Sequence, residues 1–251
     1  MSLTLILGAM PSEVISVESE LTHVKRGTLE CYPYVRGRLG KRPVVVSVTG
    51  VGISAAAMTS ALFVHHFRPD ELVFTGSGAR LNPDLRTGDI IISERTSHHN
   101  AGNLTESGMV YRKVRGPLKG QMTPYEYRAD PKLLKIARNA IKTFPQEPIR
   151  VKGKTYEPIV RVGRVCSGDV FGVTSRKIKD IRRKLGPDLI EMESSAAAQV
   201  CWQLGVPHLV IRCGSNLAQS SPGEDYRALG QVAAHQAARF TVHFVKQLPN
   251  R

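Results

Sequence analysis

The chain has 251 residues, 41% hydrophobic and 22% charged, and a formal net charge of +14, all of it carried by residues 109–184, where 20 Lys or Arg face 6 Asp or Glu while the rest holds 15 of each. That composition suits one globular domain, and the longest apolar runs, at 43–48 and 207–211, are far shorter than the roughly 20 residues of a membrane-spanning helix. The opening stretch MSLTLILGAMPSE lacks the basic segment and cleavage pattern of a secretory signal, so a cytoplasmic protein is expected.

In chain order, strand-like runs at 3–8, 43–49, 71–75, 88–93, 159–166, 188–192 and 207–213 alternate with helix-like stretches at 11–24, 52–67, 131–144, 174–185, 194–204 and 224–247. The alternation predicts an α/β fold, and strands apolar along their whole length predict a sheet covered on both faces. Residues 94–130 have no clear periodicity and are read as a long functional loop or insertion. Residues 145–158, with three prolines, read as an exposed excursion. There is no internal repeat and no linker, so a single domain spanning 1–251 is expected. Cys31, Cys166, Cys201 and Cys213 form no CxxC pair and lie beside predicted elements, which predicts buried thiols and neither disulfides nor a metal site.

The basic segment 109–184 is a solvated surface or a footprint for nucleic acid or an anionic membrane. The first reading is favoured. Tyr111, Tyr125, Tyr127 and Tyr156 are scattered without the spacing of an RNA-recognition motif, and no zinc-finger pattern occurs.

Chemistry concentrates where strands end: GAMPSEV, TGVGISAA, TGSGAR, CSGDVFG, EMESS and RCGSN. In open α/β sheets, ligands bind outside the carboxyl ends of strands, so the recurrence of Gly, Ser and acid there is informative as a set. Singly, each is ambiguous. Gly50 and Gly52 open a helix and either cradle an anion or make a tight turn. Ser77 and Gly78 admit a ligand or form a turn. Glu13 lies in a helix's first turn, where the macrodipole favours an anion whether or not it has a task. Glu193 follows a short strand, and Glu191, two residues earlier, is expected on the opposite side, so that the two acids need not share a role. His98 and His99, on a polar stretch, are expected at the surface or an interface.

Taken together, GAMPSE, TGVG, TGSGA with GDIIIS, SGDVF, EMESSAAAQVC and VIRCGSN occur in an order and at a spacing that resembles the nucleoside phosphorylase superfamily, most strongly its methylthioadenosine/S-adenosylhomocysteine nucleosidases. The resemblance runs from Leu3 to about Leu248 and weakens over 95–158. It implies a three-layer α/β/α fold with a central mixed, mostly parallel sheet, and cleavage of the N-glycosidic bond of a purine nucleoside without a cofactor. By motif, Glu193 would hold the ribose hydroxyls with Met192 beside the sugar. Glu13 would polarise the attacking water with help from Arg212 and Ser77, with Gly78 following in the same motif. Phe171 would stack on the base, backbone groups around Gly172 would read its edge, and Met10 and Val51 would border the 5′ pocket.

Two positions depart from the pattern. Asn216, beside Ser215, stands where the nucleosidases carry an aspartate that protonates adenine N7. A carboxamide delivers no proton at neutral pH, but its NH₂ donates to N7 and O6, which favours a 6-oxopurine. In SHHNAGN, Asn100 and Gly102 replace the family's aspartates, altering the loop near the 5′ pocket or subunit interface. The superfamily's phosphorylases use inward arginines for phosphate, and the one that opens their "GS" motif is Thr75 here. Hydrolysis is therefore expected over phosphorolysis, with Arg80 and Arg212 as the remaining charges for a phosphorylase reading. A catalytically impaired binding protein is a further alternative. The apolar and small residues of 52–67 are expected to pair chains across a two-fold axis, giving a homodimer or larger homo-oligomer.

Overall fold

The computed structural model describes residues 2–170, 174–218 and 224–249. Among these, ten strands form the main sheet: β1 (Thr4–Gly8), β2 (Thr22–Leu29), β3 (Tyr32–Leu39), β4 (Arg42–Val48), β5 (Glu71–Arg80), β6 (Ile90–His98), β7 (Glu126–Arg128), β8 (Val160–Ser167), β9 (Leu189–Glu191) and β10 (His208–Leu217). The helices are α1 (Pro11–Glu18), α2 (Ile53–Phe67), α3 (Pro131–Thr143), α4 (Ser175–Leu185), α5 (Ser194–Leu204) and α6 (Glu224–Lys246). The order β7-β6-β8-β9-β5-β1-β4-β3-β2 runs across the sheet, and β10 pairs with both β5 and β6. That double pairing closes β6, β8, β9, β5 and β10 into a ring, whose β5 edge continues outward through β1 and β4.

Side-chain alternation divides the core into two layers. Ile6, Val44, Val46, Val73, Leu209 and Ile211 pack with Val14 and Val17 of α1, Ala137 of α3 and Phe240 of α6. Leu5, Leu7, Val45, Leu72, Phe74 and Val210 pack on the other face with Phe63 of α2 and Ala197 of α5. The three-layer α/β/α arrangement follows, and the sheet is mixed as expected. It is not mostly parallel: five of its strand pairings are parallel and five antiparallel.

Part of the difference lies in the expected helix at 11–24, which stops at Glu18, after which β2 and β3 form an antiparallel ribbon against β4; the remaining antiparallel pairings are β7 with β6, β9 with β5 and β10 with β6. β2 is mostly solvent-facing, and β3 interleaves Arg and Gly with the buried Val35 and Leu39, so neither carries an apolar run to signal it. The stretch 94–130 contains the end of β6, all of β7 and two small ribbons, Asn103–Thr105 with Gly108–Val110 and Val114–Arg115 with Met122–Thr123. The excursion at 145–158 is an exposed hairpin of Ile149–Val151 and Lys154–Tyr156. Cys166, Cys201 and Cys213 are buried free thiols, and Cys31, on the outer ribbon, is exposed, contrary to expectation. No described helix is long and apolar enough to cross a membrane.

Candidate active site

The site begins with the turn from β1 into α1. Met10 takes the N-cap position in extended backbone and Pro11 occupies the first turn, where its missing N–H costs nothing. Glu13, at the third helical position, turns its carboxylate back: Oε2 accepts the Ala9 N–H at 2.8 Å and the Met10 N–H at 3.3 Å. Its other oxygen reaches β5, accepting the Ser77 N–H at 2.7 Å, the Ser77 hydroxyl at 3.1 Å and Nη1 of Arg212 at 3.5 Å. Glu13 is 1% exposed. A helix-start acid with no further task would point to solvent, so the capping role alone does not account for it.

Arg212 is 0% exposed and stands at the centre. Nη1 also donates to the Ser77 carbonyl at 3.1 Å, Nε to the Ser194 hydroxyl at 2.9 Å, and Nη2 to Glu193 at 3.1 Å and to Glu191. The guanidinium lies 4.9 Å from the Phe74 ring centroid. Gly76 makes this convergence possible: its φ is +150°, and a Cβ there would meet Nη1 of Arg212 and the Glu13 carboxylate.

Glu193 lies where β9 passes into α5, as the helix N-cap. Its Oε1 accepts the Gly52 N–H at 3.0 Å, at the start of α2, and Oε2 accepts the Met192 N–H at 3.3 Å beside Arg212. Burial and the neighbouring Glu191 push its carboxyl up to about 8. Glu191 accepts the Ser167 hydroxyl, the Ser194 N–H and hydroxyl at 3.0 Å each, and the Glu193 N–H at 3.1 Å. Burial alone would raise it, but Arg212 and these donors hold it below the usual carboxylate range. The expectation that Glu191 and Glu193 serve opposite sides fails, because residues two apart in an extended chain share a face. Glu193, at φ −132° and ψ −45°, lies just past the end of the strand, and both acids meet one nitrogen of Arg212.

On β10, a register shift between Gly214 and Leu217 bulges Ser215 and Asn216 out of the ladder with β5. The strand therefore does not end before Asn216, as the sequence suggests, but carries it. The Ser215 hydroxyl lies 3.0 Å from the Gly78 carbonyl and 3.1 Å from Asn216 Oδ1, and Asn216 Nδ2 donates to the Leu217 carbonyl at 3.0 Å. Asn216 is buried. Arg80 donates to the carbonyls of Ser215 at 3.0 Å and Leu85 at 2.6 Å, and the Thr75 hydroxyl accepts from Thr241 at 2.9 Å. Neither side chain joins the carboxylate cluster.

Met10, Val51 and Met192 adjoin the backbone groups that bind the two carboxylates, and all three keep exposed surface at the rim, 54% in the case of Val51. Asp169 accepts the Ile53 N–H at 2.7 Å, joining the SGD turn to the start of α2. Phe171 and Gly172 lie outside the described residues. His98 and His99 are not surface residues. His98 Nδ1 is 2.8 Å from the Ser195 hydroxyl and Nε2 3.0 Å from Gln199, because β6 continues into the protein as far as His98 and packs on α5. His99 is 2% exposed, and burial pushes its imidazole down to about 4.

The chemistry of this arrangement is specific: one buried acid beside a second, a fixed guanidinium between them, and an amide on an adjoining strand. A family model for the phosphorylase superfamily matches residues 4–246, and the chain belongs to that superfamily. Within it, the chain is similar to 5′-methylthioadenosine/S-adenosylhomocysteine nucleosidases. It is 31% identical to that of Geobacillus kaustophilus, over 98% of this chain and 97% of the relative, and 30% identical to that of Tolumonas auensis, over 97% and 98%. The crystal structure of the Neisseria meningitidis nucleosidase in complex with methylthio-immucillin-A superposes with a TM-score of 0.84 at 27% identity, covering 99% of this chain and 100% of that one. A Helicobacter pylori futalosine hydrolase, at 19% identity and a TM-score of 0.83, shares the fold.

Proposed function

We propose that the protein is a purine nucleosidase, a single-domain enzyme that hydrolyses the N-glycosidic bond of a purine nucleoside or 5′-modified nucleoside, releases the free base, and prefers a 6-oxopurine. The observation that carries hydrolysis is where Glu13 sits. A phosphate at these strand ends would need the Ala9, Met10 and Ser77 amides, and all three donate to Glu13. The Gly52 amide donates to Glu193, Arg212 is shared among carboxylates, and Arg80 serves backbone carbonyls. The donors of an anion site are filled by the protein's own carboxylates, which leaves water as the nucleophile.

In this reading, Glu193 accepts hydrogen bonds from the ribose 2′- and 3′-hydroxyls and favours the positive charge that develops on the sugar as the bond to the base stretches. The same charge acidifies the incoming water, whose proton passes to Glu13. Positioned general bases contribute about 10²–10⁴ in rate. Arg212 does not touch the reacting atoms: it holds the two carboxylates apart and in register. Met10, Val51 and Met192 give the 5′ side an apolar wall, and Phe171 and Gly172 take the base.

Asn216 sets the base preference. Its oxygen is held beside the Ser215 hydroxyl and its Nδ2 already donates to the Leu217 carbonyl, so it would meet the purine through an N–H of that amide and not as an acid. N7 and O6 of a 6-oxopurine accept such donors, whereas an exocyclic amine would oppose them, leaving unpaired groups at a cost of about 1–3 kcal/mol. The exposed apolar residues Val51 and Met58, 54% and 57% accessible on the loop before α2 and on α2, support a homodimer or larger homo-oligomer. The basic face of 109–184 is read as solvated surface. Release of free base from inosine, guanosine and adenosine in phosphate-free buffer tests the proposal. Hypoxanthine and guanine should appear faster than adenine, and no release from any of the three would refute it.

A further inference from the structure

One guanidinium serves three buried carboxylates, and it does not serve them equally. Of the two that share Nη2 of Arg212, Glu191 is the better supplied: it also receives the Ser167 hydroxyl, both donors of Ser194 and the Glu193 N–H. Glu193 has Nη2 at 3.1 Å, the Gly52 N–H at 3.0 Å and the Met192 N–H at 3.3 Å. The purine-release mechanism gives Glu191 no task, yet it is 8% exposed and ties β8, β9, α5 and β10 together at the centre of the site.

We propose that Glu191 is a positioning residue: by holding Nη2 of Arg212 it withholds part of that cation from Glu193, so that Glu193 carries a proton in the free enzyme and gives it up when ribose hydroxyls arrive. The inference rests on the reading of Glu193 as the ribose clamp. In the step, the O–H bond of the Glu193 carboxyl breaks, its proton leaves to solvent through the rim at Met10, Val51 and Met192, and both carboxylate oxygens become acceptors for the two ribose O–H groups.

The groups facing the pair support it from every side. Glu13 on α1 is a further like charge, Arg212 on β10 is the one cation bonded to the cluster among the described residues, and α2 contributes the neutral Gly52 amide. Asp169, at the next amide of α2, adds another acid nearby. On the Glu191 side, β8 presents the Ser167 hydroxyl and the buried Cys166 thiol, and β6 presents His98, which burial keeps neutral. Burial and Glu191 hold the Glu193 carboxyl up at about 8, while Glu191 stays low.

The test is calorimetry of a 6-oxopurine C-nucleoside, which binds but has no N-glycosidic bond to cleave, in neutral buffers of different ionisation enthalpy. The wild type should release a large fraction of a proton per site on binding. Glu191→Gln, which returns Arg212 to Glu193, should release far less, and the ascending limb of its kcat/KM against pH should move to lower pH. A merely structural role would lower the rate at every pH and leave the limb where it is. That outcome, or equal proton release in the two proteins, overturns the inference. Should Glu191→Gln fail to fold, Ser167→Ala decides: with one donor fewer, Glu191 takes a larger share of the proton, and release and limb shift in the same direction by less. No change in Ser167→Ala then refutes the proposal. A wild type that neither binds nucleoside nor releases base fails the functional reading. One that does both without releasing a proton fails only this inference.

Discussion

Replacing Gly76 by alanine perturbs the site without changing the identity of any group that does chemistry. At φ +150° an alanine is strained, costing about 1–3 kcal/mol. The larger effect is on position. The new Cβ would lie 2.5 Å from Cδ of Glu13, whereas non-bonded carbons rest at about 3.5–4.0 Å, so Glu13 and Arg212 must retreat by about 1 Å. A misplacement of that size in a catalytic constellation costs about 10²-fold. Base release by Gly76→Ala should therefore fall by about two orders of magnitude while thermal unfolding shows a folded protein a few degrees less stable. A folded Gly76→Ala enzyme with wild-type kcat/KM would refute the claim that Glu13 and Arg212 act from the positions described.

Three further outcomes are expected. Glu193→Gln should retain the fold and lose about 10²–10³ in kcat, checked by base release with circular dichroism as control, since a near-isosteric amide no longer carries the charge that favours the sugar cation. Asn216→Asp should raise the ratio of adenosine to inosine cleavage by about tenfold to a hundredfold at fixed pH, because a carboxyl can donate to N7 and accept from an amine. Stability should fall toward both ends of the pH range. His99 and His208, pushed by burial from 6.5 to about 4, contribute stability that is complete above pH 6.5 and lost as pH falls through about 4; Glu193, raised from 4.5 to about 8, contributes stability that is complete below pH 4.5 and lost as pH rises through about 8. Urea unfolding across that range should show His208→Phe flattening the acid side and Glu193→Gln the alkaline side.

The buried strands were legible because each is an apolar run with both faces covered, as in PVVVSV and HLVIR, and the helices because caps such as Asp130 and Gly205 bound them. The outer ribbon of β2 and β3 was not, since β2 faces solvent, β3 buries only Val35 and Leu39, and the ribbon is held by pairing to β4. Ring closure was invisible too: it depends on β10 meeting β6 more than a hundred residues away in sequence. In the site, Glu13, Arg212 and Glu193 were readable from motif order, and the structure brings them onto one guanidinium. Glu191 was misread because it was set on the opposite face from Glu193, whereas side chains two residues apart in an extended chain share a face. His98 and His99 were misplaced because a polar stretch of sequence turned out to be the buried continuation of β6, a matter of tertiary pairing with β8 and packing on α5.

The central claim is that Glu13 fills the place a phosphate would take and hands the reaction to water. Cleavage of inosine in heavy-oxygen water, with and without added phosphate, tests it most directly. The account predicts free ribose carrying the label at its anomeric oxygen, at a rate that phosphate does not raise. Formation of ribose 1-phosphate, or base release that depends on phosphate, would contradict it.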